Sequence, residues 1–122
     1  MTAAPPQIIT DAIVPRPPLS GTEPCATGEE EFFHASYAIN QPAVKNALRA
    51  CRRCPLTAEC RIWAIANPDL TPAGIYGATT PRQRRADRHQ LINRLGDGPA
   101  YERVLRRAYA ANVAWRTQGG AR

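Results

Sequence analysis

The 122-residue sequence predicts an all-α protein built as a small helical bundle. Several stretches place apolar residues at helical spacing, and residues that begin or end helices bound them. No run of β-branched residues alternates as a strand would, and no segment repeats. These observations together favour helices joined by turns over any arrangement that contains a sheet.

The N-terminal region is rich in proline. Six of the 12 prolines lie within the first 24 residues, where they prevent a regular helix or a central strand. We interpret residues 1–22 as a flexible, disordered arm. The compact part then holds fewer than about 100 residues, a size at which a metal or a disulfide often supplements the apolar core.

A first helix is predicted over residues 42–53. Pro42 suits its first turn, where the missing N–H group is no loss. Apolar residues at the spacing i, i+3, i+4, i+7 share one face of this helix: Val44, Ala47, Leu48 and Cys51. The sulfur of Cys51 should therefore point toward the interior.

A second helix is predicted from about residue 58 to residue 66, after the break at Pro55. Thr57 is the expected N-cap. Cys60 lies in the first turn, where the helix dipole and free N–H groups favour a thiolate.

A glycine turn and two further helices complete the prediction. Residues 71–80 are turn material, with glycines flanking Ile75 and Tyr76 so that the turn presents the tyrosine. Thr80 and Gln83 form a capping box that starts a basic helix over about 81–94. A last helix is expected over about 100–116.

The positive charge is concentrated in the last third of the chain. The net charge is +6; residues 1–81 hold six Lys/Arg against seven Asp/Glu, and residues 82–122 hold ten Arg against three Asp/Glu. This basic helical C-terminal tail indicates a polyanionic partner, most simply nucleic acid, or else a solvated arginine-rich face.

The sequence shows no secretory signal and no apolar run long enough to span a membrane. A cytoplasmic protein with reduced thiols and no membrane association is therefore expected. In that compartment, four cysteines indicate metal or redox chemistry before disulfides.

The four cysteines follow the spacing C-x25-C-x2-C-x5-C: Cys25, Cys51, Cys54 and Cys60. Four thiolates can bind tetrahedral zinc or an iron–sulfur cluster, and ligand chemistry alone does not separate the two. The single close pair leans weakly toward a cluster. Arg52 and Arg53 are expected to lower the pKa of the neighbouring thiols.

The motifs over residues 23–90 resemble the WhiB-like proteins of actinobacteria and their phages. The matching features are an upstream cysteine, an acidic run before two aromatics, a cysteine-rich motif, a glycine turn and a basic segment. They read here as Cys25, Phe32-Phe33, Cys51-Arg52-Arg53-Cys54-Pro55-Leu56 with Cys60, Gly74-Ile75-Tyr76-Gly77, and Arg82-Gln83-Arg84-Arg85.

The resemblance implies a helical domain over residues 23–80 and a basic region over 81–122. It implies that the four cysteines hold a [4Fe–4S] cluster sensitive to oxygen and nitric oxide. It also implies that a monomer binds the C-terminal region of the primary sigma factor and then promoter DNA. The implied sigma-facing residues are Phe32, Phe33, Trp63, Gly74, Ile75, Tyr76 and Gly77, and the implied DNA-facing residues are Arg82, Arg84, Arg85 and Arg88.

Two positions depart from the family turn, which usually reads G-[VI]-W-G-G. Tyr76 replaces the tryptophan and keeps an aromatic face with less area. Ala78 replaces the last glycine and restricts the backbone if that position needs a positive φ. We therefore expect sigma binding to be weaker or to use a shifted geometry.

Other interpretations stay open beside the leading one, which is a transcription regulator and no enzyme. Phe32, Phe33 and Trp63 fit core packing around a metal site at least as well as partner contact. A zinc-stabilised nucleic-acid-binding module fits the cysteines and the charge. A thiol–disulfide reductase using Cys51 and Cys54 fits less well, because its usual βαβ setting is not predicted.

Overall fold

The computed structural model describes residues 13–27, 32 and 37–119, and in these residues the regular structure is entirely helical. The helices are α1 (Pro24–Thr27), α2 (Pro42–Arg53), α3 (Thr57–Ala66), α4 (Pro81–Leu95) and α5 (Pro99–Thr117). A single antiparallel bridge joins Tyr76 to Thr79. The predicted all-α fold is confirmed.

Most helix boundaries agree with those predicted from the sequence. The bounds of α2 are as predicted, and its four predicted apolar residues are buried. The capping box of α4 is present: Gln83 N donates to Thr80 Oγ1 at 3.2 Å, and Thr80 N donates to Gln83 Oε1 at 2.9 Å.

The predicted N-cap of α3 is wrong by one residue. Thr57 is the first helical residue and Leu56 is the cap. The Thr57 hydroxyl donates back to the carbonyl oxygens of Cys51 and Cys54 instead of accepting from the helix. It therefore ties α3 to the end of α2, across the segment that separates two of the cysteines.

Two groups of buried apolar side chains make up the core. The thiol-side cluster lies around α2 and contains Phe32, Val44, Ala47, Leu48, Cys51 and Ile75. The helical cluster lies between α3 and α5 and contains Val14, Trp63, Ala64, Ala66, Tyr101 and Leu105. Helix α3 packs against α5 more extensively than against any other helix of the described chain.

Residues 13–22 correct part of the predicted N-terminal arm. Val14 is 2 % exposed, its carbonyl oxygen accepts from Asn67 Nδ2 at 3.3 Å, and Pro17 is also buried. Arg106 Nε donates to the carbonyl oxygen of Ile13 at 3.0 Å. The described part of this segment is therefore packed against the helices, because its apolar residues complete the helical cluster; residues 1–12 lie outside the described residues.

An ion pair between a buried carboxylate and a partly exposed arginine fastens α5 to α3. Glu59 is 1 % exposed, and Arg116 donates to its carboxylate from Nε at 3.0 and 3.1 Å and from Nη2 at 2.7 Å. The bidentate geometry satisfies a carboxylate that would otherwise be costly to bury. The C-terminal helix is thus part of the packed domain.

None of the helices described here has both the length and the apolar character that crossing a membrane requires.

Candidate metal centre

The four cysteines come from three parts of the chain. Cys25 lies on α1, Cys51 lies near the end of α2, Cys54 follows that helix, and Cys60 lies in the second turn of α3. None of them forms a disulfide. Cys51 is buried and the others are partly exposed.

The short segment before α1 positions Cys25. The Glu23 carboxylate accepts from the backbone N–H groups of Ser20 and Gly21 at about 3.0 Å, and these hydrogen bonds lower the pKa of Glu23. Ala26 N in turn donates to the Glu23 carbonyl oxygen at 2.9 Å. Residues 20–26 therefore form a compact turn that directs Cys25 toward the thiol-side cluster.

The thiols share one region, since each affects or feels the charge of at least two others. Burial raises the pKa of Cys25 and Cys51, and it raises the pKa of Cys60 to about 12. Thiolate–thiolate repulsion adds to each of these shifts. Such thiols hold their protons, and a positively charged metal centre that replaced those protons would relieve the repulsion.

The sequence-based expectation of lowered thiol pKa values is wrong for Cys51 and Cys60. Arg52 and Arg53 are exposed and are not among the main causes of the shifts at these thiols. At Cys60 the N–H group is already used, because it donates to the Leu56 carbonyl oxygen at 2.8 Å. Desolvation outweighs any effect of the helix N-terminus.

Arg16 is a cation that acts on two of the thiols, and sequence reasoning missed it. Its positive charge opposes the raised pKa of Cys25 and Cys60. Its guanidinium carbon lies 5.1 Å from the centre of the Trp63 ring, in a cation–π contact. No local sequence signal identifies this residue, because the packing of residues 13–17 on α3 brings it to the site.

Backbone N–H groups also point at the sulfur atoms. Leu56 N donates to Cys54 Sγ at 3.5 Å. The nearby backbone amides of Gly77 and Ala78 oppose the raised pKa of Cys51, and that of Gly77 also opposes the raised pKa of Cys60. Amide N–H groups close to sulfur stabilise the negative charge of a thiolate, and such groups also surround the sulfur atoms of iron–sulfur centres.

Four cysteine thiols are compatible with an iron–sulfur cluster, and the same ligands can hold a tetrahedral zinc ion. Among the described residues, no three His, Cys, Asp or Glu side chains form a group that could hold one ion. A tetrahedral zinc site with Zn–S bonds of about 2.3 Å would need sulfur atoms about 3.8 Å apart. In a cluster, the cysteine ligands bind separate irons.

The glycine turn is a tight reversal that lies directly on α3. Gly77 and Ala78 have φ values of 57° and 60°, and the bridge between Tyr76 and Thr79 closes the turn. A Cβ atom at Gly77 would lie 2.4 Å from the backbone N and Cα of Arg61. Residue 77 must therefore be glycine, because a side chain there would clash with the backbone of Arg61. Ala78 adopts the left-handed conformation at a steric cost.

Most of the predicted sigma-facing residues are buried. Phe32 and Ile75 are each 1 % exposed and belong to the thiol-side cluster, and Ile75 N donates to the Phe32 carbonyl oxygen at 2.8 Å. Trp63 is 6 % exposed in the helical cluster. These three side chains therefore act as core, while Phe33 lies outside the described residues.

The glycine turn is less exposed than its sequence predicts. Gly74 and Gly77 are buried, and Tyr76 is half-buried, with its ring centre 5.6 Å from that of Trp63 in an edge-to-face contact. The tyrosine faces inward because the turn packs on α3. Of the predicted sigma-facing side chains that the structure describes, that of Tyr76 keeps the most exposed surface.

The predicted DNA-facing arginines divide into two kinds. Arg82 and Arg85 are exposed and Arg88 is partly exposed. Arg84 is 2 % exposed, and its guanidinium donates to backbone oxygens of residues 71–79. The assignment of Arg84 to DNA contact is therefore corrected: its hydrogen-bonding groups are already used inside the protein.

A family model described as transcription factor WhiB matches residues 21–86, which is more than half of the chain. The match includes all four cysteines, the glycine turn and the start of α4. Searches of curated proteins and of solved structures found no match. From the extent of the family match, together with the helical fold and the four cysteines, the chain belongs to the WhiB family of transcription factors.

Proposed function

We propose that this transcription factor binds a [4Fe–4S] cluster through Cys25, Cys51, Cys54 and Cys60, and that the cluster-bound form associates with the primary sigma factor and with promoter DNA. The observation that carries the proposal is the grouping of four thiols that influence one another beside the glycine turn. Family membership supports the role in transcription.

The cysteines would connect three otherwise separate pieces of the chain. Cys25 belongs to a four-residue helix that contacts the rest of the fold through α2. Binding of all four thiols to one centre would fix this short helix against α2 and α3, so cluster binding and folding would be coupled. When bound, the cluster supplies an iron–sulfur centre that oxygen or nitric oxide can attack.

Sigma-factor binding would use the surface around the glycine turn. The buried Phe32, Trp63 and Ile75 would support this surface from below, and Tyr76 would supply aromatic contact area. The partner is the C-terminal region of the primary sigma factor, bound by a monomer of this chain. Loss of the cluster would loosen this surface and change promoter occupancy.

DNA binding would use the exposed face of α4. Arg82, Arg85 and Arg88 lie within two turns of one helix, and in the described chain none of them forms an ion pair. Contacts of this kind neutralise phosphates and give affinity with little sequence selection. Selection among promoters would then come from the sigma factor. This role places the protein in the cytoplasm.

The first test is to prepare the protein anaerobically and measure iron, sulfide and zinc per chain together with the visible spectrum. A brown protein with four irons, four sulfides and a broad band near about 400 nm is expected. Substitution of any one cysteine by serine should reduce cluster content. A colourless protein with one zinc per chain would refute the cluster and favour a zinc-stabilised nucleic-acid-binding module.

The second test measures partner binding with the cluster-loaded and metal-free proteins. The loaded protein should bind the C-terminal region of the sigma factor, and the metal-free protein should bind it weakly. DNA affinity should fall with rising salt for both. Equal sigma binding by the two forms would contradict the cluster-dependent mechanism.

The raised pKa of Cys51 argues against a thiol–disulfide reductase. A reductase needs a nucleophilic thiolate of low pKa near its C-x-x-C motif. Burial instead raises the pKa of Cys51. A reduction assay on the metal-free protein, with Cys51→Ser for comparison, should show no cysteine-dependent turnover.

A further inference from the structure

The Arg84 side chain is buried, and its guanidinium donates hydrogen bonds within the protein. Its Nη1 donates to Thr79 O at 2.8 Å and to Thr79 Oγ1 at 3.3 Å. Its Nη2 donates to Thr71 O at 3.1 Å, to Gly74 O at 2.9 Å and, more weakly, to Ala73 O at 3.4 Å. All of these acceptors belong to residues 71–79, the loop that ends in the glycine turn.

The same loop also contacts the region of the thiols. Ile75 belongs to the thiol-side cluster together with Cys51, and Ala78 packs against that cluster. The amides of Gly77 and Ala78 oppose the raised pKa of Cys51, and that of Gly77 also opposes the raised pKa of Cys60. The Arg84 guanidinium carbon lies 5.3 Å from the centre of the Tyr76 ring in the same loop. The loop is therefore in contact with both the arginine and the region of the cysteines.

Helix α4 begins immediately after this loop. Thr79 is bound by Arg84, and the next residue, Thr80, is the N-cap in the capping box. A shift of residues 76–79 would therefore move the first turn of α4. That turn carries Arg82 and is followed by Arg85 and Arg88.

We propose that Arg84 is a positioning residue: it holds residues 71–79 so that Ile75 and Ala78 stay packed beside Cys51, and it thereby couples the metal centre to the basic helix α4. The consequence for DNA binding rests on the proposed function above. The hold on the loop itself does not, because it rests on the hydrogen bonds that Arg84 donates to the loop.

The chemistry of the guanidinium explains why arginine serves here. It offers five N–H donors in a fixed plane, so one side chain can bind carbonyl oxygens on two sides of a loop. A lysine ammonium is a point charge and cannot satisfy all of these acceptors at once. Without the arginine, buried carbonyl groups would lose their partners.

The test compares Arg84→Lys with Arg85→Lys, its exposed neighbour on the same helix. Hydrogen exchange of the Gly77 and Ala78 amides is measured in the metal-free and cluster-loaded proteins. Arg84→Lys should speed their exchange about tenfold or more, since lost buried hydrogen bonds favour local opening. Arg85→Lys should leave it within about twofold of the original protein.

Two further readouts address the coupling. In the cluster-loaded protein, Arg84→Lys should shorten the lifetime of the visible band in air several-fold, and it should remove the difference in DNA affinity between loaded and metal-free forms. Arg84→Gln keeps part of the donor set, and a circular dichroism melt of both variants establishes that they are folded. If Arg84→Gln does not fold, Arg84→Lys alone decides the outcome.

Unchanged exchange of both amides in Arg84→Lys would overturn the proposal. The proposal would also be overturned if Arg84→Lys weakened the salt dependence of DNA binding while the exchange of both amides stayed unchanged. Arg84 would then act as a phosphate contact. If the original protein binds no cluster, the proposed function fails, and the exchange of the metal-free protein still decides whether Arg84 holds the loop.

Discussion

The two apolar clusters of this protein depend on different supports. The helical cluster is enclosed by α3 and α5, the N-terminal segment lies across it, and the ion pair of Glu59 and Arg116 fastens it. The thiol-side cluster has one long helix, α2, and includes Cys51. The half that carries Cys25 and Cys51, two of the four candidate metal ligands, is therefore the half with fewer supports of its own. A chemical change at the sulfur atoms could loosen it without unfolding the helical half.

If the cysteines hold the proposed cluster, the largest expected effect comes from removing it. Amides of α2 should exchange at least about a hundredfold faster in the metal-free protein, since a bound centre stabilises only the state that binds it. Amides in the middle of α5 should change little. Hydrogen exchange followed by mass spectrometry measures both in one experiment. Equal acceleration of exchange in α2 and α5 would show that the two halves unfold together, which would contradict their separate supports.

A large effect in the helical half is expected from Arg116→Met, which leaves Glu59 buried without its partner. The cost should be about 3 kcal/mol of unfolding free energy, measured by urea denaturation. Adding Glu59→Gln should recover most of this loss, because the uncompensated charge is then removed. A cost below about 0.5 kcal/mol would instead assign the pair the small value of an exposed salt bridge.

A smaller gain is expected at the glycine turn from Ala78→Gly. Ala78 has a φ of 60°, so glycine should stabilise the protein by about 1 kcal/mol. The matched control is Gly77→Ala, which must destabilise it because the new Cβ would meet the backbone of Arg61. Urea denaturation gives both values. A destabilising Ala78→Gly would mean that the turn is not strained at this residue.

The smallest effect is expected from Tyr101→Phe in the helical cluster. Within the described chain, the buried Tyr101 hydroxyl has no hydrogen-bond partner, so removing it should stabilise the protein by about 0 to 1 kcal/mol. Burial raises the pKa of Tyr101. The folded state thus holds this proton more tightly than the unfolded state, where the pKa is near 10. The associated stability is present below about pH 10 and is lost as the pH rises through the folded-state value.

The original protein should therefore lose stability at alkaline pH more steeply than Tyr101→Phe. Burial also raises the pKa of Tyr76 and Tyr109, but these residues are common to both proteins. The difference between the two pH profiles isolates Tyr101. Parallel profiles up to pH 11 or so would show that the hydroxyl is solvated or hydrogen bonded.

Local patterns in the sequence predicted the helices well. The stripe from Val44 to Cys51 gave the bounds of α2, and the Thr80–Gln83 box gave the start of α4. Both signals act within a few residues, and later packing does not reverse them. The prediction for Thr57 was wrong because its hydroxyl donates to a carbonyl oxygen in the preceding turn, that of Cys54.

Residues whose roles depend on distant contacts could not be predicted in the same way. Arg84 stands among similar arginines, and only the position of the 71–79 loop distinguishes it. Arg16 reaches Trp63 across 47 positions of sequence because Val14 and Pro17 are buried on either side of it. The total charge of the C-terminal third also overstates the basic surface, since Arg84 is buried and Arg116 is paired with Glu59.

The hydrogen bond between Arg106 and Ile13 joins residues 93 positions apart, which has a consequence for synthesis on the ribosome. At about 5 to 20 residues per second, Ile13 is made about 5 to 20 seconds before its partner. The contact of Ile13 with the last helix can therefore form only after that helix emerges, although Val14 can pack on α3 earlier. The prolines at positions 15, 17 and 18 suit that interval, because they prevent the nascent chain from pairing as a strand with another one.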